Sequence, residues 1–205
     1  MLELLLNKHR SDKASKHHYH KVYEAEFDGM RNLPINFLEI GIGKGQCIEA
    51  MIDFFPNANF YAVDTFRRID PKDIPVLKNK KVKWARCDST KTITKELIDT
   101  IWSDVKFDII LDNGVHTPRA NGQTFNVFYP YLNDEGMYFI ESVWPLHVMN
   151  EEEKKHSWIQ KHPEDYSKLE MDYFMEQIPY ATKATEFDLR VSSGYPDSYI
   201  IKIDK

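Results

Sequence analysis

An alternation of segment types constrains this chain more than any other feature. INFLEIG (35–41), NFYAVD (59–64), VKWARC (82–87), FDIILD (107–112) and GMYFIES (136–142) are short apolar runs rich in β-branched and aromatic residues, the pattern of buried strands. Between them, residues 44–55, 92–105 and 117–132 carry apolar side chains at helical spacing. Each is long enough to cross from one parallel strand to the next. Strand and helix in alternation predict a parallel sheet with helices on both faces. The tail departs from this: TEFDLRV (185–191) and SYIIKI (198–203) flank SSGYPD, whose turn formers predict an antiparallel hairpin.

Two regions lie outside the alternation. Residues 1–32 contain SDKASKHHYHKVYEAEF and end at an LP break, which predicts an N-terminal helical cover or lid. Residues 33–205 then form the main domain, with a charged helical insertion at 144–180 before the hairpin. A chain of 205 residues with 42% hydrophobic content is long enough for one well-cored domain. Its net charge of −5 argues against a partner held by its phosphate backbone. Cys47 and Cys87 lie in apolar segments without metal or redox spacing and read as two buried free thiols. The opening MLELLLNKHR lacks the basic region and cleavage site of a secretory signal, and no run is long enough to span a membrane, so a cytoplasmic protein is expected. Oligomeric state is not legible.

NFLEIGIGKGQCIEAM carries the chemistry. Gly41, Gly43 and Gly45 end a strand and open a helix, leaving backbone amides free to face a ligand. A dinucleotide site wants its third glycine one place later, where Gln46 stands. Glu39 before the turn would repel a pyrophosphate and suit an ammonium group. Asp64 ends the second strand, where an acid accepts both hydroxyls of a ribose, and Asp88 after the third strand suits an adenine amino group. Amine, ribose and adenine together describe S-adenosylmethionine. The same three acids also read as turn caps or lysine partners, but all three fall at strand ends beside the glycine turn.

At these residues the sequence resembles the class I S-adenosylmethionine-dependent methyltransferases: LEIGIGKG, AVD, RCDS and FDIILDNG match their first four motifs in order. The resemblance implies a Rossmann-like α/β fold whose seven-stranded sheet is mostly parallel and closed by a C-terminal antiparallel hairpin. A narrower resemblance is to the macrolide-sugar O-methyltransferases of the mycinamicin type and their cephalosporin hydroxylase-like relatives. It rests on Ser11, Asp12, Lys13, His17, Tyr19, Tyr23 and Glu24, and on Asp112, Gly114, His116, Thr117, Pro118, Pro130, Gly136, Tyr138 and Glu141.

Methyl transfer from a sulfonium is a single displacement, so the protein must align the acceptor and remove its proton. His116, just past the fourth strand, is the expected base, and the resemblance gives the matching histidine that role; Asp112 beside it is assigned to the catalytic and cofactor site. His116 also reads as a helix N-cap, with Thr117 and Pro118 as helix-start residues. The resemblance further implies a magnesium ion held by a D-D-G-S-H turn and an E-D pair. Asp112 and Glu141 keep two of those positions, which leaves weak magnesium binding open, whereas Asn113 and Ser142 are neutral, which argues against a tightly held metal. Lys13, His17, Tyr19 and Tyr23 are expected substrate or lid residues, or else the face of a helix packed through Tyr19, Val22 and Tyr23. The cluster His17, His18 and His20 reads as an exposed polar turn. Trp144, Trp158, Tyr166, Tyr173 and Phe174 serve either as core or as the wall of an acceptor pocket.

The leading expectation is O-methylation of a small-molecule hydroxyl, such as one on a sugar. The alternatives are a methyltransferase-fold protein without turnover that acts as a binding or structural subunit, and a methyltransferase for macromolecules. DNGV after the fourth strand, in place of an N-P-P-Y-like turn, argues against nucleic acid.

Overall fold

The computed structural model describes residues 1–166 and 183–205. Seven strands form one sheet: β1 (Asn36–Ile40), β2 (Asn59–Asp64), β3 (Val82–Arg86), β4 (Phe107–Asp112), β5 (Leu132–Ile140), β6 (Lys183–Asp188) and β7 (Tyr199–Asp204). Their order is β3-β2-β1-β4-β5-β7-β6. The first five pair in parallel, and β7 lies antiparallel between β5 and β6. β1 and β4 are central and covered on both faces, which is why NFLEI and FDIILD are almost continuously apolar. β3, at the edge, buries only Val82 and Ala85 and leaves Trp84 exposed.

Helices α1 (Leu2–Lys8), α2 (Asp12–Ser15), α3 (His20–Phe27) and α4 (Gln46–Phe54) cover one face. Leu2, Leu6, Tyr23 and Phe27 are fully buried in the same cluster as Phe37, Phe54, Phe55 and Phe139. The first 32 residues therefore share the core of the sheet and have no core of their own. Tyr23 and Phe27 each meet Phe139 edge-on, at 5.4 Å between ring centres. Burying a side chain of this size contributes about 1.5–3 kcal/mol. On the other face α5 (Ile93–Ile101) and α6 (Pro118–Phe128) pack over Leu38, Ile110, Tyr138 and Ile201.

Several boundaries differ from the sequence reading for local reasons. α4 starts at Gln46, because Gly45 is left-handed at φ +79° and cannot be helical. α6 stops at Phe128, since Pro130 turns the chain into a 3₁₀ segment, Tyr129–Tyr131. β5 begins at Leu132, opposite Phe107, four residues before the expected start; its polar Asn133, Asp134 and Glu135 face outward. The link expected to be a simple turn holds a short helix, Arg190–Ser193.

The described part of the insertion, residues 144–166, is only partly helical. Up to residue 166 it contains only a 3₁₀ turn, Glu153–Lys155, and α7 (Ser157–Lys161). Trp144, Met149, Ile159 and Tyr166 form a small core of their own. Tyr173 and Phe174 lie outside the described residues.

Candidate active site at the carboxyl edge of the sheet

Strand order reverses at β1, with β2 on one side and β4 on the other, and the crevice between such strands opens at their carboxyl ends. A cleft of about 740 Å³ lies there, lined by Glu39, Gly41, Gly43, Asp64, Asp88 and His116 among others. The three glycines differ in what they do. A Cβ on Gly41 would overlap the Asn113 carbonyl, so this glycine lets the turn approach the end of β4. Gly45 likewise makes room for Val76. Gly43, at φ +54°, has nothing within 4 Å of its missing Cβ and faces open space.

Asp64 holds the turn. Its Oδ2 accepts from the backbone N–H of Ile42 at 3.0 Å and of Gly43 at 3.3 Å, and its Oδ1 from that of Phe66 at 2.7 Å. Asp88 caps its own loop, accepting from the Thr90 N–H at 3.1 Å and the Thr90 hydroxyl at 2.6 Å, and lies 4.0 Å from Arg67. Both carboxylates are half-buried and line the cleft.

A buried charge cluster lies beneath the turn. Glu39 on β1 and Glu141 just past β5 are both inaccessible to solvent, and the Lys13 ammonium joins them, 3.6 Å from Glu39 Oε1 and in direct contact with Glu141 Oε2. Burial would lower the Lys13 pKa, but the Glu141 carboxylate and its companions hold it well above the ordinary value. Tyr23 donates to the other Glu141 oxygen, Oε1. Glu39 Oε2 is buried with no hydrogen-bond partner. Burial pushes the Glu39 carboxyl up to about 7, against the pull of Lys13. Asp112 is also raised to about 7 by burial, although it accepts from the Gly114 N–H at 3.2 Å.

Beyond this cluster a second cavity, about 330 Å³, is lined by Lys13, His17, Asn113, His116, Trp144, Trp158 and Asp197 among others. Lys13, Asn113 and His116 line both cavities and form the wall between them. The helix-start reading of His116 resolves one residue later: Thr117 is the N-cap of α6, accepting from the Ala120 N–H, with Pro118 next. His116 is left just outside the helix, with its ring at the cavity wall. Its Nε2 lies 3.1 Å from Asn113 Oδ1. An amide oxygen only accepts, so Nε2 carries the hydrogen and Nδ1 keeps its lone pair. Protein packed around the ring lowers its pKa to about 4; Asp197 opposes the shift, while Lys13 and His17 add to it.

The N-terminal residues take specific places here. Tyr19 caps α3 and bridges to Ser142: its oxygen accepts from the Ser142 N–H at 3.0 Å and lies 3.1 Å from both Ser142 Oγ and the Asp197 carbonyl. This bond holds Ser142 at φ +52°, a left-handed conformation that a non-glycine residue seldom adopts. His17 stacks on Tyr19 and lies 2.9 Å from Ser198 Oγ. The histidine cluster is therefore not an exposed turn. His17 and His20 are buried, since the segment folds back against the terminal hairpin and α1. Cys47 is buried, whereas Cys87 is only half-buried. Of the insertion's aromatics, Trp144 and Trp158 line the second cavity, and Tyr166 reaches the His116 carbonyl. Sequence reasoning missed Asp197; SSGYPD reads as turn formers and carries no signal for a carboxylate facing the cavity.

The chain is similar to 8-demethyl-8-(2-methoxy-alpha-L-rhamnosyl)-tetracenomycin-C 3'-O-methyltransferase of Streptomyces olivaceus, 26% identical over 150 residues, which are 68% of this chain and 36% of that protein. It is also 26% identical over 130 residues to mycinamicin VI 2''-O-methyltransferase of Micromonospora griseorubida, covering 60% of this chain and 30% of that one. The chain thus spans well under two thirds of the curated relatives it matches. No family model matches it. Among solved structures, MycE methyltransferase in complex with Mg and SAH superposes on the whole chain and on 54% of its own length, with a TM-score of 0.70 and 18% identity. The plantazolicin methyltransferase BpumL in complex with SAH aligns over 93% of this chain and 82% of its own, with a TM-score of 0.53 and 17% identity. No helix among the described residues is long and apolar enough to cross a membrane. The chain therefore has the class I methyltransferase fold, and its sequence is similar to those of macrolide-sugar O-methyltransferases.

Proposed function

We propose that this protein is an S-adenosylmethionine-dependent O-methyltransferase whose acceptor is a hydroxyl on a sugar or sugar-bearing small molecule. The observation that carries the reading is the meeting of two cavities at one histidine, with the larger lying over the glycine turn. The curated relatives, named for methylation of rhamnosyl and other sugar-bearing products, support the acceptor class.

The cofactor suits the residues present. Glu39 Oε2 is a buried acceptor without a donor, as an ammonium group requires, and the open space over Gly43 admits a ligand against the backbone. Asp64 and Asp88 line the same cleft, and each carboxylate has about four acceptor sites, not all of them filled. When bound, S-adenosylmethionine supplies an electrophilic methyl on sulfur. Glu39, Gly43, Asp64 and Asp88 hold and orient it. His116 takes the acceptor proton on Nδ1, with Asn113 fixing the tautomer. Trp144 and Trp158 offer flat apolar faces against which a sugar ring packs.

Magnesium does not suit the site. Both Glu141 oxygens are committed, one to Lys13 and one to Tyr23, and Asn113 and Ser142 supply no charge. Among the described residues no group of three or more histidines, cysteines or acids could hold an ion. A hard cation needs several anionic oxygens, so the proposed mechanism routes no step through a metal.

The test is transfer of labelled methyl from S-adenosylmethionine to a panel of methyl glycosides and glycosylated macrolides. Transfer by the wild type, reduced at least ~100-fold in His116→Ala, supports the reading. Transfer to RNA or protein in its place overturns the acceptor class.

A further inference from the structure

The His116 carbonyl has unusual company. It belongs to the peptide just before the N-cap of α6, so no helical N–H reaches it. Two donors from the insertion bind it instead: the Tyr166 hydroxyl at 2.7 Å and the Trp158 indole N–H at 3.2 Å. The indole N–H and the Tyr166 oxygen are themselves 3.1 Å apart, so the three groups form one cluster. Next to it Arg119, in the first turn of α6, lies 3.4 Å from Asp165. The insertion is thus fastened to the His116 peptide at two points and to the first turn of α6 at a third. Tyr166 does not line the acceptor cavity, so its hydroxyl serves this contact and not the substrate wall.

We infer that Trp158 and Tyr166 are positioning residues for His116, so that docking of the 144–166 segment holds the ring against Asn113, the contact that fixes its tautomer. The inference rests on the reading of His116 as the base. A carbonyl enclosed by protein requires a donor, and here the donors come from the segment that also walls the acceptor cavity with Trp144 and Trp158. Docked, that segment encloses the ring; undocked, it would release both the carbonyl and the ring to water. Closure over an acceptor and placement of the base are then one event.

The test is ¹⁵N NMR of the histidine-labelled protein without cofactor or acceptor, with the His116 signal identified by its loss in His116→Ala. The groups facing the ring, Asn113, Asp197, Lys13 and His17, stay the same in every variant. In the wild type the signal should titrate near 4 and report a single Nε2–H tautomer. In Trp158→Phe/Tyr166→Phe the midpoint should climb by about one unit or more towards the ordinary 6.5, with the two tautomers mixed. Tyr166→Phe alone should shift it in the same direction, and it serves if the double variant does not fold. A folded variant whose midpoint and tautomer match the wild type overturns the inference. Because no methyl transfer is measured, this result stands or falls apart from the proposed activity.

Discussion

The Lys13 ammonium lies 3.6 Å from Glu39 Oε1 and also binds Glu141, so a residue of the N-terminal segment ties together the ends of β1 and β5, two strands separated by β4. All three side chains are buried. The pocket floor is therefore built partly by residues that precede the sheet in sequence.

Replacing Lys13 leaves two buried carboxylates without their cation. Lys13→Met should destabilise the protein by about 3–5 kcal/mol, because an orphaned buried charge costs more than a solvated one. Urea unfolding at neutral pH measures it.

Glu39 and Asp112 set a pH dependence of stability. A carboxyl raised to about 7 in the fold resists ionisation there, so its contribution is fully present below the unfolded value near 4 and is lost as pH climbs through 7. Stability should fall between pH 5 and pH 8 by an amount on the order of 1 kcal/mol or more. Glu39→Gln should flatten that slope. A wild-type stability that rises over this range would contradict the assignment.

His116, held near 4, stays neutral where an ordinary histidine is already protonated. The acid limb of kcat/KM should therefore lie at about 4–5 rather than 6.5. Asn113→Asp, which places a carboxylate against the ring, should move the limb upward. Rate measurements from pH 4 to pH 8 decide it.

The glycines separate fold from ligand. Gly41→Ala must displace the Asn113 carbonyl and should cost about 2 kcal/mol or more in stability, whereas Gly43→Ala pays only the left-handed backbone term of about 1 kcal/mol. On the proposed reading Gly43→Ala nonetheless weakens S-adenosylmethionine. Thermal melts with and without the cofactor distinguish the two.

Magnesium should neither bind saturably below about 1 mM nor change cofactor affinity, as expected for a site short of anionic oxygens. Calorimetry in magnesium chloride and after chelation checks both.

How much of this was legible depended on sequence separation. β2 and β4 fall on their expected residues because each is a buried run closed by an aspartate, Asp64 and Asp112. The cleft followed from Glu39, Gly43, Asp64 and Asp88, which lie within one stretch of alternating strand and helix. The Lys13–Glu141 contact joins residues 128 positions apart, and nothing local to either announces the other. The hold on His116 by Trp158 and Tyr166 was hidden for the same reason, since the sequence offers these two rings as core or pocket wall and not as donors to a carbonyl more than 40 positions away. His17 and His20 misled because their segment is polar by composition yet covered by the hairpin and α1.

The measurement that tests the central claim most directly is a calorimetric titration of the purified protein with S-adenosylmethionine, repeated for Glu39→Gln. Binding in the micromolar range, about −8 kcal/mol, weakened at least ~10-fold in the variant, is the result this account predicts. No detectable binding by the wild type, or equal binding by Glu39→Gln, would contradict it.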